Sequence, residues 1–517
     1  MTNRGVHWQP SPGLWPAGRM TERVNSALFR ISPALLLSLG LLHGLCAQPV
    51  ATPASPDPIE GTWLGTVTAP QGPAEIGFRF ERTPKGALVY ALQFPVMNAY
   101  GVKFGAPVGR DGVAYTEPVF NSRLVLDTDR ITGTFGPGKL PVELVRGGSF
   151  TAAPPPPAFP VPPAPLWSHD LGAPTWAPPV VADGIVYVGT QDGKLHAVRG
   201  SDGSAVWTWS GPNRVDGRAV VSGDALYFVD GKNDLVCLNR TSGGLHWRSA
   251  LYDEALAGKP LPDNPTFNRR TAIPLVLDGT VYCGSADGGL YALDAATGAK
   301  LWRHDAKAPV FSGIAWHGAD TLMFGTMDGS VVLFDRRIRQ ETLRAKVGGG
   351  VVTTPVMAAG RLIVGSRDYF LYGLDPVDGS VAWKFSYWFS WIESTPALAD
   401  GLIYVGASDY RRVTAFDPAT GRAVWGTDVR GMAWGSPVVT TDTVFIGTAA
   451  QNLPGTALEH TGGIVALDRR NGEVKWQLLA PKPPENSFGG YAGTLACDGE
   501  RIYAAGFDGR LVALPVR

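Results

Sequence analysis

The 517-residue sequence is short of charge: only 17% of its residues are Asp, Glu, Lys or Arg, and 45 cations cancel 45 anions. That balance excludes the cationic surplus on which nucleic-acid or polyanion affinity depends. Cysteine is scarce as well. The four present have no regular spacing, which excludes a disulfide scaffold, a zinc ribbon and a C-x-x-C-H haem attachment site. The chain contains no Walker loop, no Gly-x-Ser-x-Gly elbow and no pair of histidines at metal-ligand spacing. Its amino-terminal apolar run, residues 34–42, falls short of the roughly 20 residues that span a bilayer.

That run nevertheless has the form of an export signal. Arg23 and Arg30 precede it, and the small residues Gly44 and Ala47 follow it. Residues 1–47 are therefore read as an upstream segment and cleaved signal, with translation starting at Met1 or Met20 and cleavage after Ala47. Lipidation of Cys46 is disfavoured because Leu45 stands where a small residue is needed. Cys237, Cys283 and Cys497 each lie in an apolar run and read as buried small hydrophobes.

What the sequence has in abundance is glycine (65), proline (43) and tryptophan (16), a mixture that points to β structure with frequent turns. Residues 57–150 alternate apolar and polar positions, with turns at 84–86 and 110–112. The pattern predicts six to eight short antiparallel strands in a small barrel or sandwich. The opening Ile59-x-Gly61-x-Trp63-x-Gly65 and the later Ile131-Thr132-Gly133-Thr134 resemble a lipocalin-like β-domain found ahead of some secreted bacterial hydrolases. An interior filled by its own side chains is favoured over a ligand cavity. Residues 151–165 are proline-dominated and read as a semi-rigid spacer.

From residue 166 to 517 the chain repeats itself. Trp207, Trp247, Trp302, Trp383, Trp425 and Trp476 recur, and the long gap before Trp383 divides evenly if Leu343 stands in for a seventh. Ten residues before each lies a small or apolar residue (Ala197, Cys237, Ala292, Leu333, Gly373, Ala415, Ala466). Eight before lies Asp294, Asp335, Asp375, Asp417 or Asp468, with Arg199 and Asn239 as substitutes, and four before lies glycine except at Arg339. The unit A-x-D-x-x-x-G-x-x-x-W has a mechanical logic. Asp bonds the backbone of the turn, Gly supplies a left-handed residue, Ala leaves room for a ring, and Trp brings area that one sheet cannot bury alone. A period of about 40–45 residues with four strands is a propeller blade. Seven complete units end at Trp476, and an eighth stops at Arg517 before reaching its tryptophan. Trp167, which has no strands of its own before it, should complete that blade. The fold class expected is thus all-β: an eight-bladed β-propeller closed by amino- and carboxyl-terminal strands, preceded by the small barrel-like domain. Trp167, Trp207, Trp247, Trp302, Trp383, Trp425 and Trp476 are the expected blade-docking residues.

This unit resembles the tryptophan-docking repeat of pyrroloquinoline-quinone (PQQ) type propellers. That family has two branches: periplasmic quinoprotein dehydrogenases, and non-catalytic scaffolds such as the lipoprotein subunit of the outer-membrane β-barrel assembly machinery. The resemblance implies a fold but not an activity, because the motif holds blades together and touches no substrate. The catalytic branch implies PQQ in the funnel, a calcium ion, an aspartate base and, in many members, a disulfide between adjacent cysteines. No two cysteines are adjacent here, and no run matches the calcium ligands. The reading favoured is a scaffold without cofactor or metal; the alternative is a PQQ- and calcium-dependent dehydrogenase oxidising alcohols or sugars.

Function should then reside on one face. Extra length falls at 252–270, 449–461 and 480–490, all in loops that emerge on the same rim of a propeller. Residues just before each innermost strand should line the channel mouth there: Trp176, Asp216, Glu393, Trp434 and Tyr491, with Arg269 and Trp391 close by. An aromatic mouth with a few charges suits a peptide, a glycan or a small planar ligand, and ordinary packing at blade tops explains the same residues equally well. The expectation is an exported monomer in the periplasm or on the periplasmic side of the outer membrane. It would bind an envelope protein partner, with no nucleic acid and no membrane span after signal removal.

Overall fold

In the computed structural model, which describes residues 56–517 except 137, 155–158, 259–260, 262–271 and 453–460, each repeat folds into four antiparallel strands. Residues 1–47 and Arg269 lie outside the described residues. In blade 1 the two β-rich runs form the middle strands Ile185–Gly189 and Lys194–Arg199, with Val180–Ala182 inside them and Ala205–Ser210 outside. The middle strands are almost continuously buried rather than alternating, because both faces of each blade abut a neighbour. Eight such blades are present.

The ring closes as the tryptophan count requires. Trp167–Asp170 is the outermost strand of the last blade, antiparallel to Arg510–Pro515, and Trp167 faces Ala513. This is the Ala–Trp pairing of the other blades, where Ala197 faces Trp207, Ala292 faces Trp302 and Ala415 faces Trp425. In blade 4 the pair is Leu333 and Leu343, so leucine occupies the place of tryptophan.

Each indole reaches across to the next blade. Trp167 Nε1 donates to Gly200 O (2.9 Å), Trp207 to Arg240 O (3.0 Å), Trp247 to Ala295 O (3.1 Å), Trp383 to Pro418 O (2.9 Å) and Trp425 to Arg469 O (3.0 Å). The motif's Asp side chains bond the turn backbone, as Asp294 Oδ1 does with Thr297 N (2.8 Å) and Ala296 N (3.1 Å). The motif glycine has a second duty that the sequence did not reveal. Gly421 has φ +69°, and a Cβ there would lie 2.4 Å from the Trp383 ring of the preceding blade. Glycine is needed for the turn and for the indole's clearance together.

Residues 61–146 form one curled sheet of nine strands, more than the six to eight expected. The segment read as a turn at 110–112 contributes to a three-residue strand, Gly109–Asp111, too short for its period to register. The first strand, Gly61–Ala69, pairs with the last, Leu140–Arg146, while the end strands Ala99–Phe104 and Gly109–Asp111 do not pair with each other. The interior is filled with aromatic rings: Trp63, Phe78, Phe94, Tyr115 and Phe135 are fully buried. Glu117 is buried among them and accepts from Tyr90 Oη (2.5 Å), Phe120 N (2.9 Å) and Ser122 Oγ (3.3 Å); burial pushes its carboxyl above the ordinary range.

One end of this sheet is stopped by the propeller. Phe389, in the loop between blades 5 and 6, sits 4.6 Å from Phe120 and 5.0 Å from Phe135 between ring centroids, and Trp388 meets Phe94 edge-on at 5.1 Å. Gln71 clasps the backbone of Ser386 from both sides, donating to its O (2.9 Å) and accepting from its N (3.1 Å). The core of the sheet and that of blades 5 and 6 are continuous.

Trp383→Ala should lower stability by about 3 kcal/mol, the low end for a large aromatic because this indole is only partly buried. Trp383→Phe should lose less, keeping the ring but not the bond to Pro418. Chemical denaturation followed by tryptophan fluorescence measures both, and an unchanged midpoint for the alanine variant would show that the indole holds nothing together.

Candidate functional site

The eight innermost strands enclose a central channel of about 910 Å³. The loops that lead into these strands, and the hairpins between second and third strands, form one rim. The extra lengths expected there do build upward. The second strand of blade 7, Thr443–Asn452, runs ten residues and pairs with Ser487–Gly490 to make a ribbon above the ring. In the loop that leaves blade 2, Asp253 caps a single helical turn, Glu254–Ala257, through Oδ1 to Ala255 N (2.9 Å) and Leu256 N (3.2 Å).

Of the residues expected at the mouth, Asp216, Glu393 and Trp434 line the channel. Trp176 and Trp434 are buried, 5.7 Å apart, and Phe488 from the ribbon packs against both at 5.6 and 5.7 Å; Phe507 meets Trp176 edge-on at 4.5 Å. The aromatic mouth is a mutual cluster. Trp388 stops the amino-terminal sheet, whereas Trp391 lies under the Arg367 guanidinium, 4.6 Å from its ring centroid.

Tyr491 stands one residue out of register with the ring. Thr494 Oγ1 accepts from Ser436 N (2.9 Å) as Thr395 Oγ1 accepts from Thr354 N (3.0 Å), so Ala492 rather than Tyr491 is the counterpart of Glu393. The cause is the 480–490 insertion and the absence of a marker proline in blade 8. Tyr491 packs between blades 7 and 8 instead, where burial, with Asp508 nearby, pushes its phenol up to about 12.

The charges at the mouth are matched. Arg214 Nε donates to Asp216 (2.6 Å), and Arg367 donates to Glu393 Oε1 through Nε (3.0 Å) and Nη2 (2.5 Å). Behind this pair lies Asp409, which sequence reasoning missed. Its carboxylate is 2% exposed, accepts from Ser408 Oγ (2.8 Å), and has a second oxygen with no hydrogen bond among the described residues. Burial pushes its pKa up to about 6, the Glu393 charge adding to the effect. No run of sequence marks such a residue, because its burial comes from blades 5 and 6 meeting.

A PQQ–calcium site does not fit these residues. Asp216 and Glu393 are engaged by guanidinium groups, and Trp176 and Trp434 are buried against Phe488 and each other in tilted and edge-on contacts. No group of three or more metal-ligating side chains occurs among the described residues. Cys237 and Cys283 are buried as the sequence predicts, whereas Cys497, in the two-residue innermost strand of blade 8, is only half-buried; none of the three forms a disulfide, and burial pushes Cys237 up to about 11.

The fold and the paired, packed mouth define a closed eight-bladed propeller of PQQ-like repeats. A family model described as outer membrane protein assembly factor BamB matches residues 163–216, 208–347 and 328–517, and the chain belongs to that family. A relative from Yersinia pestis with that same name is 27% identical over 265 residues, 47% of this chain and 61% of its own, so the chain spans about three fifths of that curated relative. A quinoprotein alcohol dehydrogenase, PedH of Pseudomonas putida, is 28% identical over 132 residues, 22% of each chain. The solved structure of a europium-containing methanol dehydrogenase covers 68% of this chain and 93% of its own at a TM-score of 0.52 and 12% identity, a likeness of fold alone.

Asp409 yields a pH dependence. Its folded pKa, about 6, exceeds the ordinary 3.8, so the folded state holds the proton more tightly; stability tied to this group is fullest below pH 3.8 and is lost as pH rises through about 6. The loss is on the order of 3 kcal/mol. Asp409→Asn should therefore raise the melting temperature at pH 7 and change it little at pH 4. Equal effects at both pH values would show that Asp409 carries no buried charge.

Proposed function

We propose that the protein is an exported, non-enzymatic scaffold of the bacterial envelope that serves outer-membrane protein assembly. Its home would be the periplasm or the periplasmic side of the outer membrane. The observation that carries this reading is the state of the channel mouth: both carboxylates are matched by arginines and the aromatics are buried in one another. The family match and the signal-like sequence of residues 20–47 support it. The mechanism is rigid presentation. In a closed ring each blade is packed between two neighbours, so loops on one rim keep fixed positions for a protein partner at small entropic cost. The partner-binding surface assigned here is the ribbon of 443–452 with 487–490 and the loop of 480–486 beside it.

Capture from envelope extracts tests the proposal. Lys482 and Glu485 are exposed on that loop, and the double reversal Lys482→Glu with Glu485→Lys should abolish capture of the partner. Asp202→Lys on the opposite face should retain it. Equal capture by both variants would move the interface elsewhere. Reconstitution with PQQ and calcium should yield no dye-linked oxidation of alcohols or sugars, and turnover at an ordinary rate would defeat the scaffold reading.

A further inference from the structure

The channel holds one charge that no other described residue answers. Arg218 lies two residues beyond Asp216 on the way into the innermost strand of blade 2. It lines both the channel and a groove of about 620 Å³ that opens beside it between blades 1 and 2. Three carboxylates line these two spaces, and each is held by a different arginine: Asp216 by Arg214 at 2.6 Å, Glu393 by Arg367 at 2.5 Å, and Asp183 by Arg240 at 2.6 Å. Arg218 is left over, with no ion pair or side-chain hydrogen bond among the described residues. Burial alone moves its pKa, and downward, the direction expected of a cation withdrawn from water without a counter-charge.

A half-buried guanidinium has lost part of its hydration, which a group that pairs with it would replace. The surrounding wall shows what kind of group that is. Val180, Val181, Val220, Val221 and Ile273 flank Arg218 in the groove. The channel volume lies in the range that takes one small organic molecule, about 300–1,000 Å³. An inorganic anion would satisfy the charge but leave the aliphatic wall wet, whereas a protein side chain would have to come from a partner threaded down the axis. We propose that this channel is a binding site for a small organic acid, with its carboxylate on the Arg218 guanidinium and its apolar body along the valine and isoleucine wall. Arginine suits the role because its planar fork bonds both carboxylate oxygens at once. The groove beside Arg218 gives the ligand its entry, away from the aromatic cluster at the other mouth. Asp183 at that entry is neutralised by Arg240 and does not repel it. The site is independent of the scaffold reading, and neither stands or falls with the other.

Octanoate and octan-1-ol share an apolar body and differ in charge, so titration calorimetry with the two on the full chain tests the proposal. Wild type should bind octanoate at least about tenfold more tightly than octan-1-ol, as a charge-assisted pair requires. Arg218→Met and Arg218→Gln should each lose that preference, while the double change Asp183→Asn with Arg240→Met, which removes both members of the ion pair at the groove together, should keep it. Absence of octanoate binding to wild type, equal binding of acid and alcohol, or undiminished octanoate binding by a folded Arg218 variant would each overturn the assignment. Partner capture from envelope extracts should be the same for wild type and Arg218→Gln, which separates this site from the proposed interface.

Discussion

A blade of this propeller is apolar on both faces, so no blade can exist apart from its neighbours, and the side chain that crosses each gap, an indole in all but one, is what sets their spacing. For Trp167, Trp207, Trp247, Trp383 and Trp425 the ring lies over the turn of the next blade, with its Nε1 bonded to a carbonyl and against a glycine that has no side chain to displace it. Burial supplies the energy and the hydrogen bond supplies the register. Where leucine replaces tryptophan in blade 4, the apolar contact survives while the indole's polar bond is lost. Gly379 of blade 5 then meets Leu343 and Ala345 in place of a ring.

Closure follows from the same device. Because Trp167 comes from the start of the repeat region and the rest of blade 8 from its end, the final gap is sealed by two distant parts of the chain. Trp167 Nε1 and Tyr503 Oη both donate to the same carbonyl, that of Gly200 in blade 1, at 2.9 and 3.3 Å. The amino-terminal sheet is tied in a different way. Phe389, offered by a loop between blades, completes an aromatic core that the sheet cannot finish alone. The loop between blades 5 and 6 thus faces two ways, its Trp388 and Phe389 into the sheet and its Glu393 into the channel. Asp409, behind Glu393, is the buried carboxylate shared by that junction.

The electrostatics of the axis divide the functional readings. Carboxylates already bonded to guanidinium groups are poor metal ligands and poor bases, since proton or metal must displace a cation. The lining is therefore suited to holding shape and to receiving an anion at Arg218. The outer decoration on blade 7 is a ribbon built from two insertions.

Blade number, strand identity and ring closure were legible in the sequence because each rests on a short-range signal repeated many times: a period, a turn glycine, an indole at constant distance from its aspartate. The amino-terminal β region was legible as well, though its short end strand was not, since three residues carry no period. The mouth was only half legible. Asp216, Glu393 and Trp434 followed from blade symmetry, but Tyr491 slipped by one where an insertion broke that symmetry. That Trp388 and Phe389 would stop a second sheet, that Asp409 would be sealed from water, and that Arg218 would line the channel without a counter-charge among the described residues depended on residues far apart in the chain. The repeat determines which residues face a neighbouring blade; only the closed ring decides which charges meet, because pairing is set by distances across the axis that no local pattern encodes.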